Sequence, residues 1–219
     1  MERRQLSAVE RELTATLREC KRLAGDAVAW SVVPPPAPGA AAARPLINAK
    51  RRDSMIELAF LRAFLAWETF LEDAFVLYML GKKPVSGRRP YRFVLPPSRE
   101  WAHEAIREGQ RYAKWDGQVV SNKATRFFKD GRPFTDVLRA NQAFFEEATT
   151  IRNAVAHSSS EARDKFLNIV RNKPGAPPIA NITVGAFLNA QVPASNPPIA
   201  FLDFYLDRLE FVADQIVRL

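Results

Sequence analysis

The chain is poor in the residues that several common functional sites require. Its 219 residues include one cysteine, Cys20, two histidines and nine glycines. A single cysteine excludes an intramolecular disulfide, and no Cys/His spacing predicts a zinc site, so we expect no bound metal. Neither a Gly-Lys-Ser/Thr loop nor a dinucleotide-binding glycine pattern is present. These absences exclude a P-loop nucleotide hydrolase, and we expect no cofactor.

Long uncharged apolar runs are missing as well. The most hydrophobic segment, Met55 to Leu80, contains five charged residues, Glu57, Arg62, Glu68, Glu72 and Asp73. A membrane-spanning helix needs about 18 or more predominantly apolar residues in succession. We therefore expect this segment to be a helix buried in protein, with no membrane contact. The charged start of the chain does not have the pattern of a secretory signal, which favours a cytoplasmic location.

Positive charge is in excess, at +8 with a pI near 9.9. Such a charge attracts polyanions such as RNA without specifying one. Two clusters of basic residues also contain aromatic residues, as in many proteins that bind single strands. The RNA-binding residues predicted from these two clusters are Arg88, Arg89, Arg92, Lys123, Arg126 and Lys129. The alternative is an ordinary solvated basic face with Phe127 and Phe128 in the core.

Apolar residues repeat at helical spacing along most of the chain. The pattern predicts an N-terminal amphipathic helix in residues 1–30, a Pro/Ala-rich linker in 31–45 and a helical domain in 46–219. Within this domain we expect an all-α, up-and-down bundle of four main helices with satellite helices.

Local signals refine this prediction. Ser98 is expected to cap a polar helix that runs to about Trp115, and another helix is expected from Phe134. The segment from 174 to 198 is irregular, with either a brief strand at 182–184 or a turn capped by Thr183. The last helix is expected from Ile199 to the end of the chain.

The most informative segment is Arg152-Asn153-Ala154-Val155-Ala156-His157, which closes an apolar helix. At about 100° of rotation per residue, Asn153 and His157 lie on one face, roughly 40° apart, and Arg152 reaches across to them. The three side chains can converge on one phosphate. Ser158-x-x-Glu161 then predicts a capping box that opens the next helix. In the structural alternative, the Arg-Asn pair caps carbonyls or binds a carboxylate.

A helix followed by Arg-Asn-x-x-x-His and a polar break, in an all-helical chain, resembles the motif of the HEPN superfamily. The apolar helix that carries Phe60 to Asp73 is similar to the first core helix of stand-alone prokaryotic HEPN proteins. The resemblance covers residues 46–219. It implies a HEPN-like bundle and a metal-independent endoribonuclease that leaves a 2′,3′-cyclic phosphate and a 5′-hydroxyl. It also implies a toxin or phage-defence effector, with an antitoxin or sensor protein as partner.

The resemblance assigns three roles in the motif. His157 matches the catalytic histidine, Arg152 the phosphate-binding arginine, and Asn153 the polar residue that orients them. Ser158 stands where the family often has glycine. Glu68 and Glu72 lie four residues apart on the long helix, and one of them is predicted to orient Arg152. An exposed acidic edge is the alternative for this pair.

The reaction needs one group that accepts a proton and another that donates one. The only other histidine, His103, lies in an ordinary charged amphipathic segment. We therefore expect a homodimer in which a second chain supplies the second histidine. The alternatives are a non-catalytic HEPN-like module that binds RNA, a nucleotide or a protein, and a purely structural helical adaptor.

Overall fold

The computed structural model describes residues 4–33, 44–108, 115 and 117–218, and these residues are mostly helical. Two isolated bridges are the only β pairing within them. The prediction of an all-helical chain is confirmed. In chain order, the helices are α1 (Leu6–Ser31), α2 (Ala49–Met79), α3 (Arg99–Arg107), α4 (Gly117–Phe127), α5 (Phe134–Ala140), α6 (Gln142–Ala156), α7 (Ser160–Asn172), α8 (Val184–Asn189) and α9 (Phe201–Arg218), with a 3-10 turn at Lys129–Gly131.

The chain divides into two compact units. Unit 1 comprises Met1–Thr16, Leu65–Thr149 and Arg208–Leu219, and unit 2 comprises Leu17–Phe64 and Thr150–Asp207. The four longest helices, α1, α2, α6 and α9, each contribute residues to both units. The predicted domain of residues 46–219 stays a prediction, and most of the predicted linker, residues 34–43, lies outside the described residues.

Aromatic side chains form the core of unit 1. The ring of Phe75 contacts four others at centroid distances of 5.0 to 6.0 Å, those of Trp115, Phe127, Phe128 and Phe134. Phe127 and Phe128 are therefore core residues. Beside them, the buried Tyr78 hydroxyl donates a hydrogen bond of 2.7 Å to the Ile216 carbonyl in α9.

Unit 2 has its own core, in which Phe187 stacks on Phe201 at a centroid distance of 4.8 Å. The start of α8 packs closely against the first turns of α2. Thr183 caps α8 by accepting from the Ala186 amide at 2.9 Å, and its hydroxyl donates to Asp53 at 2.7 Å. The Gly185 amide donates to the Glu57 carboxylate at 2.9 Å. Of the two predictions for this segment, the Thr183 cap is confirmed and the strand is wrong.

Some predicted helix boundaries are confirmed and others are wrong. Ser98 caps α3 by accepting from the Trp101 amide at 3.1 Å, but α3 ends at Arg107. The helix predicted from Phe134 is interrupted at the buried Asn141, whose side chain donates to the Val137 carbonyl. This local hydrogen bond competes with continuation of the helix. No helix among the described residues is long and apolar enough to cross a membrane.

Candidate active site

The predicted motif lies at the carboxyl end of α6, within unit 2. Arg152 and Asn153 belong to the helix, and His157 is the first residue after it. The His157 amide still donates to the Asn153 carbonyl, at 2.9 Å, so the helical hydrogen-bonding pattern extends through the histidine. Asn153 and His157 are therefore one turn apart on the same helical face, as predicted.

The guanidinium of Arg152 is held from two directions. Its Nη1 donates to Asn153 Oδ1 at 3.0 Å, and its Cζ lies 5.9 Å from the centroid of the Phe64 ring. The ring is almost fully buried, and the arginine is half-buried. A cation stacked on an aromatic face is stabilised by the ring quadrupole. The arginine is thus a positioned charge rather than a freely rotating one.

His157, in contrast, is exposed, and so are the three serines that follow it. An exposed imidazole at the end of a helix can exchange a proton with a bound ligand. Phe64 is the residue of this site that sequence reasoning missed. It lies in α2, far from the motif along the chain, and in the sequence it is one apolar residue of a long apolar helix.

The predicted capping serine is wrong by one residue. Ser159 rather than Ser158 caps α7, accepting from the Ala162 amide at 3.2 Å. The helical hydrogen-bonding pattern of α6 extends through His157, and Ser159 has the extended conformation that a cap requires, with φ of −72° and ψ of 146°. Glu161 then lies too early in α7 to complete a capping box. Its carboxylate pairs with Lys165 at 2.7 Å.

Glu68, Glu72 and His103 belong to unit 1. Oε1 of Glu72 lies 2.8 Å from Nδ1 of His103, within hydrogen-bonding distance. This glutamate therefore contacts a histidine that sequence reasoning set aside. Glu68 is half-buried in α2, and its predicted contact with Arg152 stays a prediction.

Two of the predicted RNA-binding residues are paired within unit 1. Lys123 is only 8% exposed, and its ammonium donates to the Ile106 carbonyl at the end of α3 and lies 3.4 Å from Glu108. Arg126 pairs with the same carboxylate but remains exposed. A buried ammonium that donates to a carbonyl at a helix end is not available to a phosphate, so the prediction that Lys123 binds RNA is wrong.

Arg92 has a structural task. Its Nη1 donates to the Met79 carbonyl at 2.7 Å and so satisfies the last turn of α2. Gly81 follows with a φ of +82°, and a Cβ there would lie 2.7 Å from the guanidinium. The remaining predicted residues, Arg88, Arg89 and Lys129, are exposed.

Comparisons of the chain with protein-family models, with curated proteins and with solved structures give no match. Among the described residues, no group of three or more His, Cys, Asp or Glu side chains is placed to hold a metal ion.

Proposed function

We propose that the protein is a metal-independent endoribonuclease of the HEPN type. The observation that carries the proposal is the exposed His157, one helical turn from Asn153, at the end of the helix that carries an arginine held in place by Asn153 and Phe64. The proposal includes the HEPN-like up-and-down bundle and a role as a toxin or phage-defence effector restrained by an antitoxin or sensor protein.

In the proposed reaction, the ribose 2′-hydroxyl attacks the adjacent phosphorus. The O2′–P bond forms and the P–O5′ bond breaks, leaving a 2′,3′-cyclic phosphate and a 5′-hydroxyl. One proton leaves the 2′-oxygen and another is delivered to the departing 5′-oxygen. His157 performs one of these transfers, each worth about 10²–10⁴-fold in rate. Arg152 stabilises the negative charge that develops on the phosphoryl oxygens.

The second proton transfer needs a second group of similar acidity. The chain contains one other histidine, His103, which lies beside Glu72 in unit 1. We therefore infer that the second imidazole is His157 of another copy, in a homodimer that joins the two motifs. The cleavage rate per chain is then expected to rise with protein concentration and to level off once the dimer is saturated.

The experiment compares the wild-type protein with His157→Ala and with His103→Ala, the matched control that removes the other imidazole. Each is incubated with total RNA in EDTA, and the fragment ends are analysed for 2′,3′-cyclic phosphate. We expect His157→Ala to lose at least about a hundredfold in rate, because a general acid or base contributes that much. His103→Ala should cut like the wild type.

Two results would reject the proposal. Equal cleavage by the wild type and His157→Ala would show that another group or a contaminant cuts the RNA. Intact RNA with wild-type protein at concentrations where dimers are observed would favour the non-catalytic module, particularly if the RNA is bound.

A further inference from the structure

A short segment of unit 1 presents two aromatic side chains to solvent. The Lys129 amide donates to the Tyr91 carbonyl at 3.0 Å, and the Phe93 amide donates to the Phe127 carbonyl at 2.9 Å. Between these bonds, Arg92 forms an isolated antiparallel bridge with Phe128. Side chains alternate in an extended segment, so Arg92 points inward to α2 while Tyr91 and Phe93 share the opposite side.

More than half of the surface of each of these two aromatic residues is exposed to solvent. Tyr91 is 66% exposed and Phe93 is 56% exposed, and their centroids lie 5.7 Å apart with the planes inclined by 71°. The backbone bonds on both sides hold the pair in place, so the rings are presented without the loss of much conformational freedom on binding. Exposed aromatic faces at such a position suit stacking with a planar ligand.

A basic cavity adjoins this pair along the chain. Its volume is about 440 Å³, and its walls are Arg88, Arg89, Pro90, Arg132, Pro133 and Asp136. Asp136 accepts from Arg132 Nε at 3.2 Å. Among the described residues no carboxylate pairs with Arg88 or Arg89, and both side chains are exposed. The cavity therefore holds more positive than negative charge.

Arg92 does not line the cavity, but it carries a further positive charge next to it in the chain. Burial and the neighbouring charge of Arg89 lower the pKa of the Arg92 guanidinium. Lys129 follows the paired segment and is exposed as well. An anion bound at this place would be attracted by the net positive charge.

We propose that this surface, formed by the basic cavity together with Tyr91 and Phe93, binds single-stranded nucleic acid. The guanidinium groups of Arg88, Arg89 and Arg132 bind phosphates, and the two rings stack with unpaired bases. A guanidinium can donate two parallel hydrogen bonds to phosphate oxygens, and any base can stack on an aromatic ring. A duplex keeps its bases stacked inside, so it can use the arginines but not the rings. The choice of RNA as the physiological strand rests on the proposed function.

The test measures binding of a fluorescently labelled 12-nucleotide RNA without secondary structure by anisotropy, at several salt concentrations. All proteins carry His157→Ala so that the RNA is not consumed. One variant adds Arg88→Ala and Arg89→Ala, and another adds Tyr91→Leu and Phe93→Leu, which keep apolar bulk but remove the flat rings. The control adds Arg18→Ala and Arg22→Ala, which remove two exposed arginines from α1. Melting curves verify that each variant is folded.

We expect the two arginine substitutions in the cavity to weaken binding and to reduce the slope of log K against log salt by about 1.4, since each phosphate contact on a single strand contributes about 0.7. The leucine variant should lose about fivefold or more in affinity with an unchanged slope, because stacking is not an ionic contact. The control should bind like the parent, and a duplex of the same sequence should bind equally to the parent and the leucine variant.

Unchanged RNA binding by the leucine variant would overturn the proposal, because the cavity would then be a general polyanion site. Unchanged binding by the cavity arginine variant would overturn it too. If RNA is bound as expected but the wild-type protein cuts nothing, the proposed function fails and this inference stands. If RNA is cut but neither variant alters binding, this inference alone fails.

Discussion

At Gly185, an added methyl group would meet backbone atoms of Asp53, and we expect it to destabilise the protein strongly. The residue lies in the first turn of α8, and a Cβ there would lie 2.2 Å from the Asp53 carbonyl oxygen and 2.5 Å from the Asp53 Cα. Real Cβ atoms essentially never approach other atoms closer than 3.0 Å, so α8 and α2 would have to separate locally by at least 0.8 Å. The opposing atoms are backbone, which cannot rotate away as a side chain can.

Such a shift breaks the contacts that join the start of α8 to α2. These are the Gly185 hydrogen bond to Glu57 at 2.9 Å and the Thr183 hydrogen bond to Asp53 at 2.7 Å. Hydrogen bonds to charged groups are worth about 1.5–3 kcal/mol each, and an overpacked site costs about 1–3 kcal/mol. Partial relaxation leaves an expected loss of about 3 kcal/mol, which lowers the melting temperature by about 6–12 °C for a chain of this length.

The matched control is Gly25→Ala in α1. Nothing lies within 4 Å of a Cβ at Gly25, and the residue is exposed in a helix interior. There alanine should stabilise the protein by about 0.5–1 kcal/mol, since it has the higher helix propensity. Circular dichroism melts of both variants measure the two effects. A fall of less than about 2 °C for Gly185→Ala would refute the close-packing argument, because it corresponds to less than about 1 kcal/mol.

Two further predictions concern buried polar groups. Tyr78→Phe removes the hydroxyl that donates to the Ile216 carbonyl, so we expect urea denaturation to show a loss of about 1–3 kcal/mol, and an unchanged free energy of unfolding would show that the bond contributes nothing. Burial and the neighbouring charge of Asp53 raise the pKa of Glu57, while the Gly185 amide and Arg163 oppose this shift. The folded state therefore holds the Glu57 proton more tightly than the unfolded state, so protonation of Glu57 stabilises the fold. This contribution to the free energy of unfolding is fully present below the ordinary pKa of 4.5 and is lost as pH rises through the higher pKa of the folded state. We expect the melting temperature to fall over this pH range. Glu57→Gln keeps an acceptor for the Gly185 amide and should make that fall smaller, and a pH profile of melting temperature equal to that of the wild type would contradict the raised pKa of Glu57.

Several features of the candidate site follow from neighbours in the sequence. Asn153 and His157 share a helical face because they are one turn apart, and Arg152 reaches Asn153 because the two are adjacent. The Ser98 and Thr183 caps likewise depend on amides three residues away. Interactions over such short separations leave a readable pattern in the sequence.

Other features depend on residues that are distant along the chain. Phe64 lies in α2 and Arg152 in α6, and an apolar repeat does not say which phenylalanine a cation will meet. Lys123 was predicted to meet RNA from its place in a basic cluster, but the end of α3 offers it the Ile106 carbonyl. Sequence also does not distinguish Arg92, which satisfies Met79, from the exposed Arg88 and Arg89.

The sequence by itself determined the helical class, most helix positions and the register of the Arg-Asn-x-x-x-His motif, because each depends on periodicity or on contacts within one turn. Only the tertiary structure decided which cations are buried, which are exposed and which aromatic rings face solvent. Tyr91 and Phe93 are exposed because residues 127–129 hold their backbone in an extended conformation. Burial depends on which segments pack together, and helical periodicity leaves that choice open.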